Sequence, residues 1–288
     1  MPSGPTPANS RAAASAWLMS APALLLVTLA LLAPLSLMLI TSLQNAQGHL
    51  SGENYRRLLE PLYLQSAWIT LKLAVTVTAC CALCGYPLSY YLSRLTKPQA
   101  AWLMILVLLP FWTSVLVRTY AWLILLQRRG LVNNSLRELG LITDPLHLVH
   151  NFLGTVIGMT HVLLPFLVLP LYSAMRAIPG DYTRAALSLG ASPTRAFWQI
   201  FFPLSFPGLA AGGLLVFILS LGFFVTPSLL GGGKVSTWPV LVDSALSIYP
   251  HPGAASALGV ALLIMTLVFV TVLRAVQKRL FKATGARL

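Results

Sequence analysis

Long uninterrupted apolar runs, not alternating ones, dominate this chain. Six of them reach the roughly 20 residues an α-helix needs to cross a hydrocarbon core about 30 Å thick, where unpaired backbone groups find no solvent. They run from Ala21 to Leu43, Ala67 to Leu92, Ala101 to Leu126, Phe152 to Met175, Leu209 to Leu230 and Gly253 to Leu273. A membrane β-barrel would instead show short segments of alternating apolar and polar residues. The expected fold class is therefore all-α, a polytopic helical bundle with six spans forming one domain over residues 1–288. The first run is longer than the apolar core of a secretory signal and has only Arg11 before it, so it is expected to be a retained helix.

Composition agrees and narrows the choice. Hydrophobic residues make up 57% of the chain and charged ones 9%, with a mean hydropathy of +0.80. A soluble domain carries about 25% charged residues, so a water-soluble fold is excluded. The net charge of +13 raises nucleic acid as a partner until the charges are placed on the topology. With six spans, both termini share a side. That side holds Arg11, Arg94, Lys97, Arg176, Arg184, Arg195, Arg274, Lys278, Arg279, Lys282 and Arg287 against Asp181 alone. The other side mixes Arg56, Arg57, Arg128, Arg129, Arg137 and Lys234 with Glu53, Glu60, Glu138, Asp144 and Asp243. Such asymmetry follows the positive-inside rule, so both termini are expected on the cytoplasmic side, with anionic lipid headgroups as counter-charge. Nucleic-acid binding is not needed to explain the basic balance.

Inside the spans only Lys72 and Arg118 are charged. Both are expected to be structural, Lys72 as an interfacial anchor and Arg118 snorkelling outward, since it lies about 25 Å along a continuous helix entered at Ala101. Pro110, Pro165 and Pro170 each remove a backbone donor and are expected to kink their helices. Gly154 with Gly158, and Gly208 with Gly212, form small-x3-small pairs that let helices approach closely. Cys80, Cys81 and Cys84 lie in the second span with no His or carboxylate nearby, so they are expected to pack between helices, and no metal site is expected.

The loop from Arg176 to Gly208 is the most structured of the connections. Asp181 is a good N-cap after Pro179 and Gly180, and Tyr182, Ala185, Ala186 and Leu189 then recur on one helical face until Gly190. Ser192 and Pro193 open a second helix carrying Phe197, Ile200 and Phe201 before Pro203. A short helix lying along the membrane with a small apolar face could dock into a groove of a soluble partner, or rest in the headgroups.

This loop resembles the cytoplasmic loop of bacterial ABC importer permeases, whose pattern is Glu-Ala-Ala, three residues, Gly, nine residues, Ile, one residue, Leu-Pro. Here Arg184-Ala185-Ala186, Gly190, Ile200 and Phe202-Pro203 keep that spacing, with Arg184 in place of the Glu and Phe202 in place of the Leu. Further strings look like the spermidine/putrescine branch of that family. They include Gly85-Tyr86-Pro87-Leu88, Leu109-Pro110-Phe111-Trp112-Thr113, Leu116-Val117-Arg118-Thr119-Tyr120-Ala121-Trp122 and Phe224-Val225-Thr226-Pro227.

The resemblance implies a type I importer permease fold and a non-catalytic subunit. Its partners would be a cytoplasmic ATP-binding subunit dimer, a second permease and an external substrate-binding protein. ATP and Mg would be used by the ATPase, with no cofactor bound by this chain. Tyr182, Arg184, Ala185, Ala186, Leu189 and Gly190 would form the contact with that ATPase. The cargo would be a small organic cation such as spermidine or putrescine, with an opine, an amino-phosphonate or another small solute as alternatives. Trp112, Tyr120, His161, Phe223 and Phe224 could line a path for a cation through their ring faces, or meet lipid and pack. No carboxylate lies within any of the six runs to favour a polycation.

Three other readings are weaker. A secondary transporter would show intramembrane acids and often an internal repeat. An intramembrane hydrolase would need a nucleophile with a partner, and His161 is the only His in the runs. Gly231 to Ser236 superficially evokes a phosphate loop, but Val235 follows Lys234 where Ser or Thr is required, so a turn is expected.

Overall fold

The computed structural model describes residues 7–45, 47–248 and 251–283, with side chains from residue 20 to residue 275. Among the basic residues assigned to one side above, Arg287 lies outside the described residues, as do the side chains of Arg11, Lys278, Arg279 and Lys282.

The described residues form an all-α bundle. In chain order the helices are α1 (Pro7–Ser42), α2 (Glu53–Arg57), α3 (Pro61–Arg94), α4 (Lys97–Leu108), α5 (Val115–Leu126), α6 (Leu131–Glu138) and α7 (Phe152–Ala177). They continue as α8 (Gly180–Ser188), α9 (Pro193–Ala196), α10 (Phe202–Leu221), α11 (Val225–Gly231), α12 (Trp238–Ser247) and α13 (Pro252–Ala283). Five helical stretches are long and apolar enough to span a membrane, and the bent pair Lys97–Trp112 and Val115–Glu138 makes a sixth if counted as one.

Helices α3, α7 and α10 build the core, and α7 is the most buried of the spans. Leu73, Val77 and Cys81 of α3 meet Met159, Leu163, Leu167 and Leu171 of α7 and Val216 of α10, all buried. Gly208 and Gly212 explain how α10 comes so near. A Cβ on Gly212 would stand 2.8 Å from the carbonyl oxygen and 3.1 Å from the Cα of Leu167, and one on Gly208 would overlap Ala174. Dispersion contacts at such range supply the association that hydrophobicity cannot supply between helices in lipid. Cys81 is buried in this core with Sγ 3.6 Å from the Thr160 carbonyl, whereas Cys84 is exposed on the outer surface of α3. Helix α1 is exposed along most of its apolar length and lies against α13.

Two expected spans differ from the structure. The run from Ala101 to Leu126 is not one helix, because the chain bends by 96° at Thr113 and Ser114. Pro110 removes a donor, the turn tightens into a 3-10 segment over Leu109–Trp112, and Thr113 becomes extended while its hydroxyl donates to the Pro110 carbonyl at 2.8 Å. The distance argument that carried Arg118 to an interface along a straight helix therefore fails. The fifth span begins earlier and ends earlier than expected, running over Pro193–Leu221. Pro203 does not end the helix, because a π-helical stretch at Phe197–Phe201 precedes it and carries the chain through the lost donor. At the far end Gly222 caps α10, and Val225–Gly231 is a separate short helix.

The connections gather at two opposite ends. At one, the Asn54 amide donates to the carbonyls of Ser42 at 3.0 Å and Gln44 at 2.8 Å, closing the last turn of α1. There the Trp238 indole donates to the Tyr63 carbonyl at 2.9 Å, and Ser66 donates to the Ser236 carbonyl at 2.6 Å. Gly232 and Gly233 take positive φ, so the glycine-rich stretch is a turn, as expected. Asn54→Ala leaves two carbonyls short of a donor in a buried joint, and is expected to destabilise the bundle by about 1–3 kcal/mol. A thermal melt in detergent would read this as a lowered midpoint, and an unchanged one would dismiss the joint.

Candidate functional site

The opposite end carries the loop that the sequence picked out. Helix α8 starts at Gly180 with Pro179, not Asp181, as its N-cap. Asp181 falls in the first turn instead, where its carboxylate accepts from the Arg184 guanidinium at 2.8 Å and favours the positive end of the helix dipole. The pair is exposed, so it orders the turn more than it stabilises it.

The helix ends in a Schellman turn. The Gly190 N–H donates to the Leu187 carbonyl and the Ala191 N–H to the Ala186 carbonyl, both at 3.0 Å, with Gly190 at φ +86°. Ser192 then caps the next helix, its hydroxyl accepting from the Arg195 N–H at 3.3 Å, and Pro193 takes the first position. The sequence identified these last three residues correctly in their roles.

Of the face expected to meet a partner, Tyr182, Arg184, Ala185 and Leu189 are exposed, Leu189 at 88%. Ala186 is buried and turned toward the following helices, so it seats α8 and is withdrawn from any partner. The helix thus presents a small apolar ridge with one cation beside it.

The loop is held to α3 as well as to its own neighbours. Tyr86, Tyr90 and Arg94 fall at four-residue spacing on α3, and they meet the π-helical stretch. Tyr90 packs edge-on against Phe197 and Phe201, with centroids 5.3 and 5.1 Å apart, and the Tyr86 hydroxyl lies 2.8 Å from that of Ser205. None of these contacts was visible in the sequence, although the four-residue spacing of Tyr86, Tyr90 and Arg94 was a signal available there.

The five residues considered for a passage do not converge. Trp112 is 90% exposed at the bend, Tyr120 and Phe224 are exposed, and Phe223 packs against the core. His161 is half-buried, with its ring 5.6 Å from that of Trp122. Beside it the Arg118 Nε, the Thr160 hydroxyl and the His161 Nδ1 are buried without a hydrogen-bond partner. Arg118 thus belongs to a polar patch on α5 and α7 within the bundle and is not an outlying anchor. Lys72 stays at an apolar surface, its Nζ 5.0 Å over the Phe152 ring. Among the described residues no group of His, Cys, Asp and Glu could hold a metal ion.

Residues 15–283 match the family described as binding-protein-dependent transport system inner membrane component. Over 221 residues the chain is 36% identical to the spermidine/putrescine transport system permease protein PotB of Haemophilus influenzae, covering 76% of this chain and 77% of that protein. PotB of Escherichia coli is 35% identical over 231 residues, 79% of this chain and 84% of that one. A solved bacterial alginate ABC transporter, in complex with alginate pentasaccharide-bound periplasmic protein, aligns with a TM-score of 0.74. That match covers 95% of this chain and 97% of the other at 15% identity, a likeness of fold.

Proposed function

The chain belongs to the family of inner membrane components of binding-protein-dependent transport systems, and on that premise we propose that it is the permease subunit of an ATP-driven importer for a small polyamine. Its fold is the all-α bundle of type I importer permeases, and it is a multi-pass inner membrane protein. The observation that carries the cargo is the identity with the two spermidine/putrescine permeases over about three quarters of the chain.

In this reading the ridge of α8 enters a cleft of a cytoplasmic ATPase pair, which uses ATP and Mg while this chain binds neither. A second permease completes the translocation path, and an external binding protein delivers the cargo to the opposite end. The basic residues Arg94, Lys97, Arg176, Arg184 and Arg195 all lie at the α8 end, which supports a cytoplasmic position for that end and for both termini. Arg184 inverts the charge of the family's Glu and already engages Asp181, so apolar contact by Tyr182, Ala185 and Leu189 supplies the affinity. The five long described spans hold no Asp or Glu and the bent pair carries only Glu138, its last residue, so the carboxylates that a polycation needs in a low-dielectric passage come from the second permease or the binding protein.

Reconstituting the complex with its ATPase, second permease and binding protein tests this. Spermidine or putrescine is expected to stimulate hydrolysis several-fold over the unloaded binding protein, in the range of ordinary coupling energies. Stimulation by an opine or an amino-phosphonate and not by a polyamine would overturn the cargo.

A further inference from the structure

We propose that Arg176 and Arg94 are positioning residues that clamp the loop of α8 to the corner between α3 and α4, so that a displacement of α8 reaches the second and third spans together. This rests on the importer reading given above. The clamp has two jaws, one where the chain enters the loop and one where it leaves.

At the entry, α7 ends at Ala177 and α8 starts at Gly180, leaving Ile178 and Pro179 between. One residue before that end, the Arg176 Nη1 donates to the Ser93 carbonyl at 3.0 Å and to the Leu95 carbonyl at 2.9 Å. These are terminal acceptors of α3, which its own helix cannot satisfy, and they lie at the negative end of its dipole. A cation bonded there is therefore held by charge as well as by geometry. Leu95 and Thr96 lead directly into α4, whose start is fixed by a capping box between Thr96 and Gln99. Arg176 thus ties the last turn of one span to the corner between two others.

At the exit, the Arg94 guanidinium lies 5.0 Å over the ring of Tyr90 and 5.0 Å over that of Phe201. Phe201 closes the π-helical stretch that follows α9. Stacking between a guanidinium and two ring faces is attractive and fixes the orientation of both rings relative to α3. Between the jaws lies a cavity of about 220 Å³ lined by Met175, Ile178, Pro179, Thr183 and both arginines, so the two attachments are separate contacts. Movement of α8 therefore reaches α3 and α4 at both jaws, with the packing of Tyr90 on Phe197 and Phe201 beside the second.

The test uses the whole complex in proteoliposomes. Arg176→Ala is expected to leave basal hydrolysis within about twofold while substrate moved per ATP falls about fivefold, and Arg176→Lys to recover part of it, since an ammonium lacks the guanidinium fork. Arg94→Ala is measured in the same way, so the clamp stays testable if Arg176→Ala does not assemble. A wild-type transport-to-hydrolysis ratio in both Ala variants, or a joint loss of assembly and hydrolysis with that ratio unmoved, overturns the clamp.

A second readout needs no cargo. Spin labels at Ser188→Cys and Lys97→Cys, both exposed, with Cys80, Cys81 and Cys84 replaced by Ala, report the spacing of loop and corner. In the otherwise native complex this spacing is expected to change by under about 2 Å on vanadate trapping, and with Arg176→Ala by about 5 Å. Equal changes in both reject the clamp. Failure of polyamines to stimulate the wild-type complex would reject the cargo alone.

Discussion

Gly212→Leu is expected to abolish the folded permease. The nearest atoms to an added Cβ are the carbonyl oxygen of Leu167 at 2.8 Å, the Leu167 Cα at 3.1 Å and the Pro170 Cγ at 3.2 Å. Two of these are backbone in the most buried span, which cannot turn aside as a side-chain tip can. Helix α10 would have to withdraw from α7, opening the core around Leu167, Leu171 and Val216. Overpacking of a single methyl group in a dense interior costs about 1–3 kcal/mol, so Gly212→Ala should already lower the melting temperature, and Leu should exceed the stability that a bundle has to lose.

Gly213 supplies the control. A Cβ there meets only the Thr78 Cγ2 at 3.8 Å, an ordinary contact, because this position faces the shallow groove between α3, α10 and α13. Replacing it by Ala gains helix propensity at no steric cost, so Gly213→Ala is expected to be neutral or slightly stabilising. Size-exclusion profiles of the two Ala variants in detergent, followed by thermal melts, would separate close approach from propensity. A well-folded Gly212→Leu protein would dispose of the packing account.

How far the sequence reaches depends on whether a signal is local. Ser192, Pro193 and Gly190 act on backbone within three residues of themselves, and their roles were legible from residue type and spacing. Gly208 and Gly212 were legible as a contact, though not which helix they meet. Pro110 announced a kink, but its size did not follow. A bend of 96° needs both its arms anchored elsewhere: the Thr119 and Thr226 hydroxyls, 3.1 Å apart, hold α5, and the Phe111 and Phe166 rings hold the 3-10 segment before it. Those partners are remote in sequence.

Ala186 shows a different limit. It shares a face with Tyr182, Ala185 and Leu189 by periodicity, and a methyl side chain carries no mark of whether it seats the helix or presents it. The aromatic residues considered for a passage meet a related limit, since a Trp or Phe in a span is equally suited to lipid, core and path. Arg176 was visible only as one basic residue among many. Its role comes from two carbonyls at the end of another helix.

Gly190→Leu is expected to uncouple hydrolysis from uptake while sparing the bundle. At φ +86° Gly190 occupies a region where any residue with a Cβ is strained by roughly 1–2 kcal/mol. The Schellman turn would yield, and α8 would lose its fixed angle to α9 while the core of α3, α7 and α10 remained untouched. The permease alone should therefore melt close to the wild type. Transport per ATP should fall about tenfold, the factor that such a strain implies if it acts wholly on the productive orientation of α8.

The space around Gly190 sharpens this further. Nothing lies within 4 Å of an added Cβ, so Ala and Leu carry the same backbone strain and their Cβ meets no atom of this chain. Equal losses in Gly190→Ala and Gly190→Leu would place the whole effect in the turn. A deeper loss in Leu would place a partner surface over Gly190, beside Leu189 at the exposed end of the ridge. Asn, which tolerates left-handed backbone better than other side chains, should retain more activity than Ala in either case. Normal uptake by Gly190→Leu would remove α8 from the coupling path.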